Sequence, residues 1–206
     1  MNATNPMPKL FWVAALGLSL SGIVLPEVIG AIRADYSSIA NYISELGAVG
    51  AENAKIVNLF GFLPVAIFSA IAILCLRARL SGFALAQTGL VLLFIGISVG
   101  YTGAFFFPCD YGCPIEGSSR QMMHNLLGLV EYPLGSLGLI LLGVGLKGRL
   151  SIFSRLIVFA VAVMSVIGFV MMISPDQSAF KGAWQRLADY SMFFLIVYLG
   201  TQLARR

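Results

Sequence analysis

Six apolar runs, each about as long as a bilayer-crossing helix, occupy most of this chain and leave only short polar gaps. A helix needs roughly 20 apolar residues to cross a hydrocarbon core, and the runs fall at about 10–32, 56–76, 83–107, 122–146, 156–173 and 184–203. A backbone in lipid has no water to bond with, so runs of this kind fold as helices. The composition agrees: 59% of the 206 residues are hydrophobic and 11% are charged, where an ordinary soluble domain carries about 25% charged residues. The expected fold is an all-α integral membrane protein, one membrane domain over residues 1–206 built as a six-transmembrane-helix bundle. The gaps are too short for a soluble catalytic domain, a nucleic-acid module or a nucleotide-binding cassette. Any chemistry has to sit on helices and short loops.

The charges orient the bundle. With both termini in the cytoplasm, Lys9, Arg77, Arg79, Lys147, Arg149, Arg155, Arg205 and Arg206 lie inside, eight of the thirteen cations. The other five, Arg33, Lys55, Arg120, Lys181 and Arg186, lie outside with all nine acids. Such a split favours N-in and C-in, and it makes the net charge of +4 an anchoring feature with no nucleic-acid partner behind it. The first run exceeds the usual length of a signal-peptide core and no A-x-A site follows it, so it is read as a retained helix. The two cytoplasmic loops share a pattern, Leu76-Arg77-Ala78-Arg79-Leu80-Ser81 against Leu146-Lys147-Gly148-Arg149-Leu150-Ser151. That is either the trace of a duplicated hairpin or the product of selection for positive loops.

Polar sequence is concentrated outside. In the first outer loop, Ile39, Ile43 and Leu46 recur at helical spacing, which predicts a short amphipathic interfacial helix capped by Ser37 or Ser38 and ended by Gly47. It is either an inert plug or a lid whose Ser44 and Glu45 face a cavity. In the second outer loop, Cys109 and Cys113 lie four apart between Pro108 and Pro114 on the oxidising side, and most simply close a disulfide. A metal site using both thiolates with His124 is chemically allowed, but the usual zinc spacings and a second His are missing. No metal and no cofactor is expected.

The fourth run is the most informative. His124, Gly128, Glu131, Gly135 and Gly138 share one helix face, and small residues there let helices approach closely. At about 1.5 Å per residue, Glu131 lies roughly 13 Å below the outer end of its run near Met122. An unpaired charge at that depth costs several kcal/mol, so Glu131 is expected to be protonated, paired or in a wet cavity, and counts as a functional candidate. A packing role is the competing reading. Glu27, near the outer end of the first run, and Asn41, Gln185 and Arg186 complete the candidate ligand-binding set. Arg186 and Asp189 are spaced for a local ion pair; alternatively Arg186 reaches Glu27 or Glu131, or holds a lipid phosphate. Gly89, Gly96, Gly100 and Gly103 make a packing stripe on the third run.

The strings Tyr36-Ser37-Ser38-Ile39-Ala40-Asn41-Tyr42-Ile43-Ser44-Glu45-Leu46-Gly47, Asn58-Leu59-Phe60-Gly61-Phe62 and Phe107-Pro108-Cys109-Asp110-Tyr111-Gly112-Cys113-Pro114, with His124, resemble a bacterial family of six-helix membrane proteins catalogued as domain of unknown function 998. The resemblance covers most of the chain and implies a multi-pass protein of the bacterial inner membrane. The first loop is more distantly similar to that of the eukaryotic Frag/DRAM/Sfk membrane proteins, some of which are implicated in lipid-anchor remodelling or phospholipid handling. What that likeness implies is an outer polar cluster with a lipid connection, and it supplies no reaction.

Three functions fit these observations. The first is lipid or amphiphile handling in an outward-facing cavity, with His124, Glu131, Ser44 and Glu45 as the candidate catalytic groups and membrane lipid or a small amphiphile as partner. The second is a small-molecule or proton-coupled transporter, for which the chain shows no inverted repeat or broken-helix signal. The third is a non-enzymatic membrane partner or assembly protein. The sequence leaves room for an oligomer in each case.

Overall fold

The computed structural model describes residues 7–204, and Arg205 and Arg206 of the cytoplasmic charge set lie outside the described residues. Six helices are each long and apolar enough to cross a membrane: α1 Lys9–Ile32, α2 Ala54–Arg79, α3 Ala84–Phe106, α4 Ser119–Gly145, α5 Ile152–Ile173 and α6 Pro175–Ala204. The described residues contain no named strand. Consecutive helices pack as neighbours, and α6 closes the ring by packing on α1 and α2. The start of α1 and the end of α6 meet at one side, where Phe11 fills the space left by Gly200. The three long connections gather at the other.

Proline accounts for two of the three irregular stretches. Pro26 and Pro64 each follow a π-helical turn, Leu20–Val24 and Val57–Phe62. A ring without an N–H cannot continue the i to i−4 ladder, and a wider turn is one way to absorb the missing bond. A third π-helical turn, Phe94–Val99, lies in α3 beside α4.

The glycine stripe of α3 is a packing seam, as its spacing predicts. A Cβ on Gly89 would lie 2.5 Å from the Gly138 carbonyl oxygen, and one on Gly96 would lie 2.8 Å from that of Glu131. Between lipid-immersed helices the association comes from close packing and polar contacts, and here the two backbones touch directly. Gly100 extends the seam outward and receives the Glu131 carboxyl.

The first outer loop differs from its predicted form. Helix occupies only Ile43–Leu46 and starts after Tyr42. Upstream, Asn41 Oδ1 accepts from the Ser37 backbone N–H at 2.9 Å, and the Tyr36 hydroxyl donates to the carbonyls of Asn41 and Tyr42 at 3.2 and 2.9 Å. Side chains that bond nearby backbone in this way compete with helix. Neither Ser37 nor Ser38 caps the single turn that forms. Glu45 does so instead, with Oε1 accepting from the Tyr42 backbone N–H at 3.0 Å.

Candidate functional site

The outer ends of the helices are closed by two tied-down loops. Arg186 on α6 holds the first. Its Nε donates to Glu27 Oε1 at 2.6 Å, Nη1 donates to the Ser38 carbonyl at 2.8 Å, and Nη2 donates to the Tyr36 hydroxyl at 2.9 Å. Ser38 and Tyr190 also donate to Glu27. Of the arrangements open to Arg186, the one formed is the bridge to Glu27, and the local pair with Asp189 is not. Beside this clasp, Lys181 Nζ lies 2.8 Å from Glu45 Oε1, and Asn41 Nδ2 donates to Glu45 Oε2 at 2.8 Å. Tyr42 donates to the Met172 carbonyl at 3.0 Å. Burial, with the charge of Glu45 adding to it, pushes the Tyr42 phenol above its ordinary value, so it remains a donor.

The second loop is pinned by the Cys109–Cys113 disulfide. Gly112 sits at φ +78° and Cys113 at φ +47°, conformations that favour glycine at the first position and cost energy at the second. Asp110 anchors the loop to the start of α4, accepting from the Ser118 backbone N–H and hydroxyl at 2.8 Å each and from Arg120 Nη2 at 2.9 Å. These bonds, the backbone N–H of Ser118 first, hold the Asp110 carboxyl below the usual carboxylate range. The two loops meet where the Ser44 hydroxyl lies 3.3 Å from Cys113 Sγ. A disulfide sulfur carries no proton, so the hydroxyl is the donor.

Beneath the loops lies a cavity of about 330 Å³. Ser44, Cys113, His124, Glu131 and Gln185 line it, while Glu27, Asn41, Glu45 and Arg186 lie outside it in the clasp. Gln185 does two structural jobs there, accepting from the Ile43 backbone N–H at 2.7 Å and donating to the Tyr132 hydroxyl at 3.2 Å. His124 Nδ1 lies 2.9 Å from the Phe107 carbonyl. A carbonyl only accepts, which places a proton on Nδ1. Cys109, Cys113 and His124 offer ligand atoms within 4.8 Å of one another, but sulfurs bonded to each other supply no thiolate to a metal.

The floor of the cavity holds the group that sequence reasoning misplaced. Asp189 on α6 lines it with Glu131, and the two are 1% and 8% exposed. The Tyr101 hydroxyl donates to Asp189 Oδ2 at 3.0 Å and the Tyr132 hydroxyl stands against the same carboxyl, whereas Asp189 Oδ1 and Glu131 Oε1 are buried with no hydrogen bond among the described residues. The aromatic walls include Tyr101 and Tyr132, the latter stacked on Phe169 at 5.5 Å between ring centroids. None of these aromatic residues stood out in the sequence. Asp189 carried one available signal, an acid inside an otherwise apolar run, which the nearby Arg186 obscured.

Among the described residues no base bonds the Ser44 hydroxyl. Nucleophilic catalysis by a serine needs a base within hydrogen-bond reach, and the bond that Ser44 makes goes to Cys113. Glu131 follows His124 by seven residues, a rise of about 10 Å. What the cavity offers is a polar floor with unmet acceptors under an apolar rim. A comparison with protein families matches residues 13–202 to a family described as "Protein of unknown function (DUF998)". No curated protein and no solved structure matches the chain.

Proposed function

The chain belongs to the DUF998 family, whose description names no activity, and we propose that it binds one small amphiphile in the outward-facing cavity of a multi-pass protein in the cell membrane. The observation that carries this reading is the cavity's graded lining. Its rim includes Ile115, Leu129 and Ile173, exposed by 90%, 54% and 55%, and its floor is the acid pair with its tyrosines. A volume of about 330 Å³ falls at the small end of ligand sites. Leu129 on α4 and Ile173 on α5 stand at the mouth between two helices, so an apolar body enters from the hydrocarbon side while a polar head reaches the floor. The competing transport reading needs polar groups continuing inward from Glu131. The buried hydroxyls of Ser69, Ser98, Ser136 and Ser165 are instead bonded in pairs, Ser69 to Ser98 at 2.8 Å and Ser136 to Ser165 at 2.9 Å.

Gly128 supplies the test, because it lines the cavity and a Cβ built on it meets nothing within 4 Å. Gly128→Leu should therefore fill the cavity without disturbing the helices. Native mass spectra of protein purified in mild detergent are expected to show a stoichiometric amphiphile on the wild type and none on Gly128→Leu. Wild-type protein that is bare, or a bound mass that persists in the variant, would sink the proposal.

A further inference from the structure

We propose that the head group of the bound amphiphile is a primary ammonium, seated between Glu131 and Asp189. This rests on the reading of the cavity as an amphiphile site and adds the charge of the ligand. Two carboxyl oxygens, Glu131 Oε1 and Asp189 Oδ1, are buried without a partner, on side chains at least nine-tenths buried that line the cavity. Buried polar atoms are seldom left unmet. The lining contains no Lys and no Arg. Four of the five outer cations that an acid pair would ordinarily recruit are engaged elsewhere, Arg33 with Asp35, Arg120 with Asp110, Lys181 with Glu45 and Arg186 with Glu27, and the fifth, Lys55, is exposed and outside the lining.

The chemistry of the walls narrows the cation. A calcium or magnesium ion asks for six or more oxygen ligands, and the cavity sets two carboxyls among phenol rings and aliphatic side chains. An ammonium has three N–H donors, and the floor residues Glu131, Asp189 and Tyr101 carry the oxygens that could accept them. Tyr101, Tyr132 and Phe169 also line the cavity, and aromatic rings attract organic cations. The same absence of Lys and Arg leaves a phosphate without a partner, which favours an amine with no phosphate beside it. A proton shared between the two carboxyls is the competing way to relieve their repulsion, and it would make the cavity indifferent to the charge of the head.

The test uses the full chain in a steroid-based nonionic detergent and three probes of one chain length: dodecylammonium, dodecanol and dodecanoate. Titration calorimetry is expected to give one site for dodecylammonium, with a Kd at least tenfold below that of dodecanol and no binding of dodecanoate. Glu131→Gln and Asp189→Asn should each remove most of the amine's advantage while dodecanol binding persists, and Gly128→Leu should abolish both. Lysophosphatidylethanolamine is the competitor that separates sources. Its failure to displace dodecylammonium identifies a phosphate-free amine, and displacement identifies a phospholipid head as the source of the ammonium. Equal affinity for amine and alcohol on the wild type overturns the charge assignment and leaves the cavity reading standing, and that comparison needs no variant to fold. Binding of none of the three probes overturns both.

Discussion

One methyl group added to α3 should do more damage than one added to α4. A Cβ on Gly96 would lie 2.8 Å from the Glu131 carbonyl oxygen, 3.0 Å from Gly135 N and 3.2 Å from Gly135 Cα. All three are backbone atoms, so no side chain can swing aside. Ordinary contact begins near 3.4 Å, and reaching it requires the two helices to part by about 0.6 Å along a seam that also carries Gly89 and Gly100. Overpacking of that kind costs about 1–3 kcal/mol. For a chain of this size each kcal/mol is worth roughly 2–4 °C in Tm, which puts Gly96→Ala a few to about 10 °C below wild type. The control is Gly128→Ala on the facing helix. There the new Cβ meets open space, and exchanging a helical glycine for alanine gains about 0.5–1 kcal/mol. Thermal unfolding in a single detergent, followed by intrinsic fluorescence, reads both variants. A Gly96→Ala protein as stable as wild type, or a Gly128→Ala protein that falls with it, would refute the seam.

Two further outcomes follow from the outer loops. Arg186→Lys keeps the charge but loses the planar fork that reaches Glu27, Ser38 and Tyr36 together; it should cost about 2 kcal/mol and speed proteolysis within residues 36–42, and an unchanged cleavage rate would argue against the clasp. The Asp110 carboxyl is held below its ordinary value, so its contribution is complete above its unfolded pKa of about 3.9 and is lost as pH falls through the lower folded value. Amide protection across residues 108–121, taken relative to the intrinsic exchange rate at each pH, should therefore drop on going from pH 6 to about pH 3 in the wild type, whereas Asp110→Asn should be weakly protected at both; wild-type protection that is the same at both pH values would remove Asp110 as the anchor.

The parts of this molecule legible in its sequence are those governed by one segment at a time. Apolar length alone marks the six helices, and small-residue spacing marks the faces of α3 and α4 that meet. Glu131 stands out because no other charge shares its run, and the Cys109–Cys113 bridge follows from spacing and side. What escaped the sequence depends on partners far along the chain. Asp189 and Arg186 are three apart and fit a local pair, yet in the ring one turns toward Tyr101 on α3 and the other toward Glu27 on α1. The first loop offered helical periodicity over Ile39 to Leu46, and only its last turn is helix, because Tyr36 and Arg186 take up the carbonyls that a longer helix would use. Glu27, Asn41 and Glu45 were grouped with the cavity by polarity and side. Asn41 and Glu45 belong instead to the loop that roofs it, and Glu27 is the α1 residue that holds that loop through Arg186 and Ser38.

The clasp also fixes an order of events during synthesis. Glu27 and Arg186 are 159 residues apart, and a chain emerging from its N-terminus delivers α1 and the first loop long before α6. Until the last helix is inserted, Glu27 has neither Arg186 nor Tyr190, the Ser38 carbonyl lacks its guanidinium donor, and the Ile43 amide lacks Gln185. The roof therefore sets only when the final span arrives, and with it Asp189, which completes the floor. A nascent protein stopped after five helices holds a half-built basin with no roof, so the enclosed cavity is a property gained in the last step of assembly.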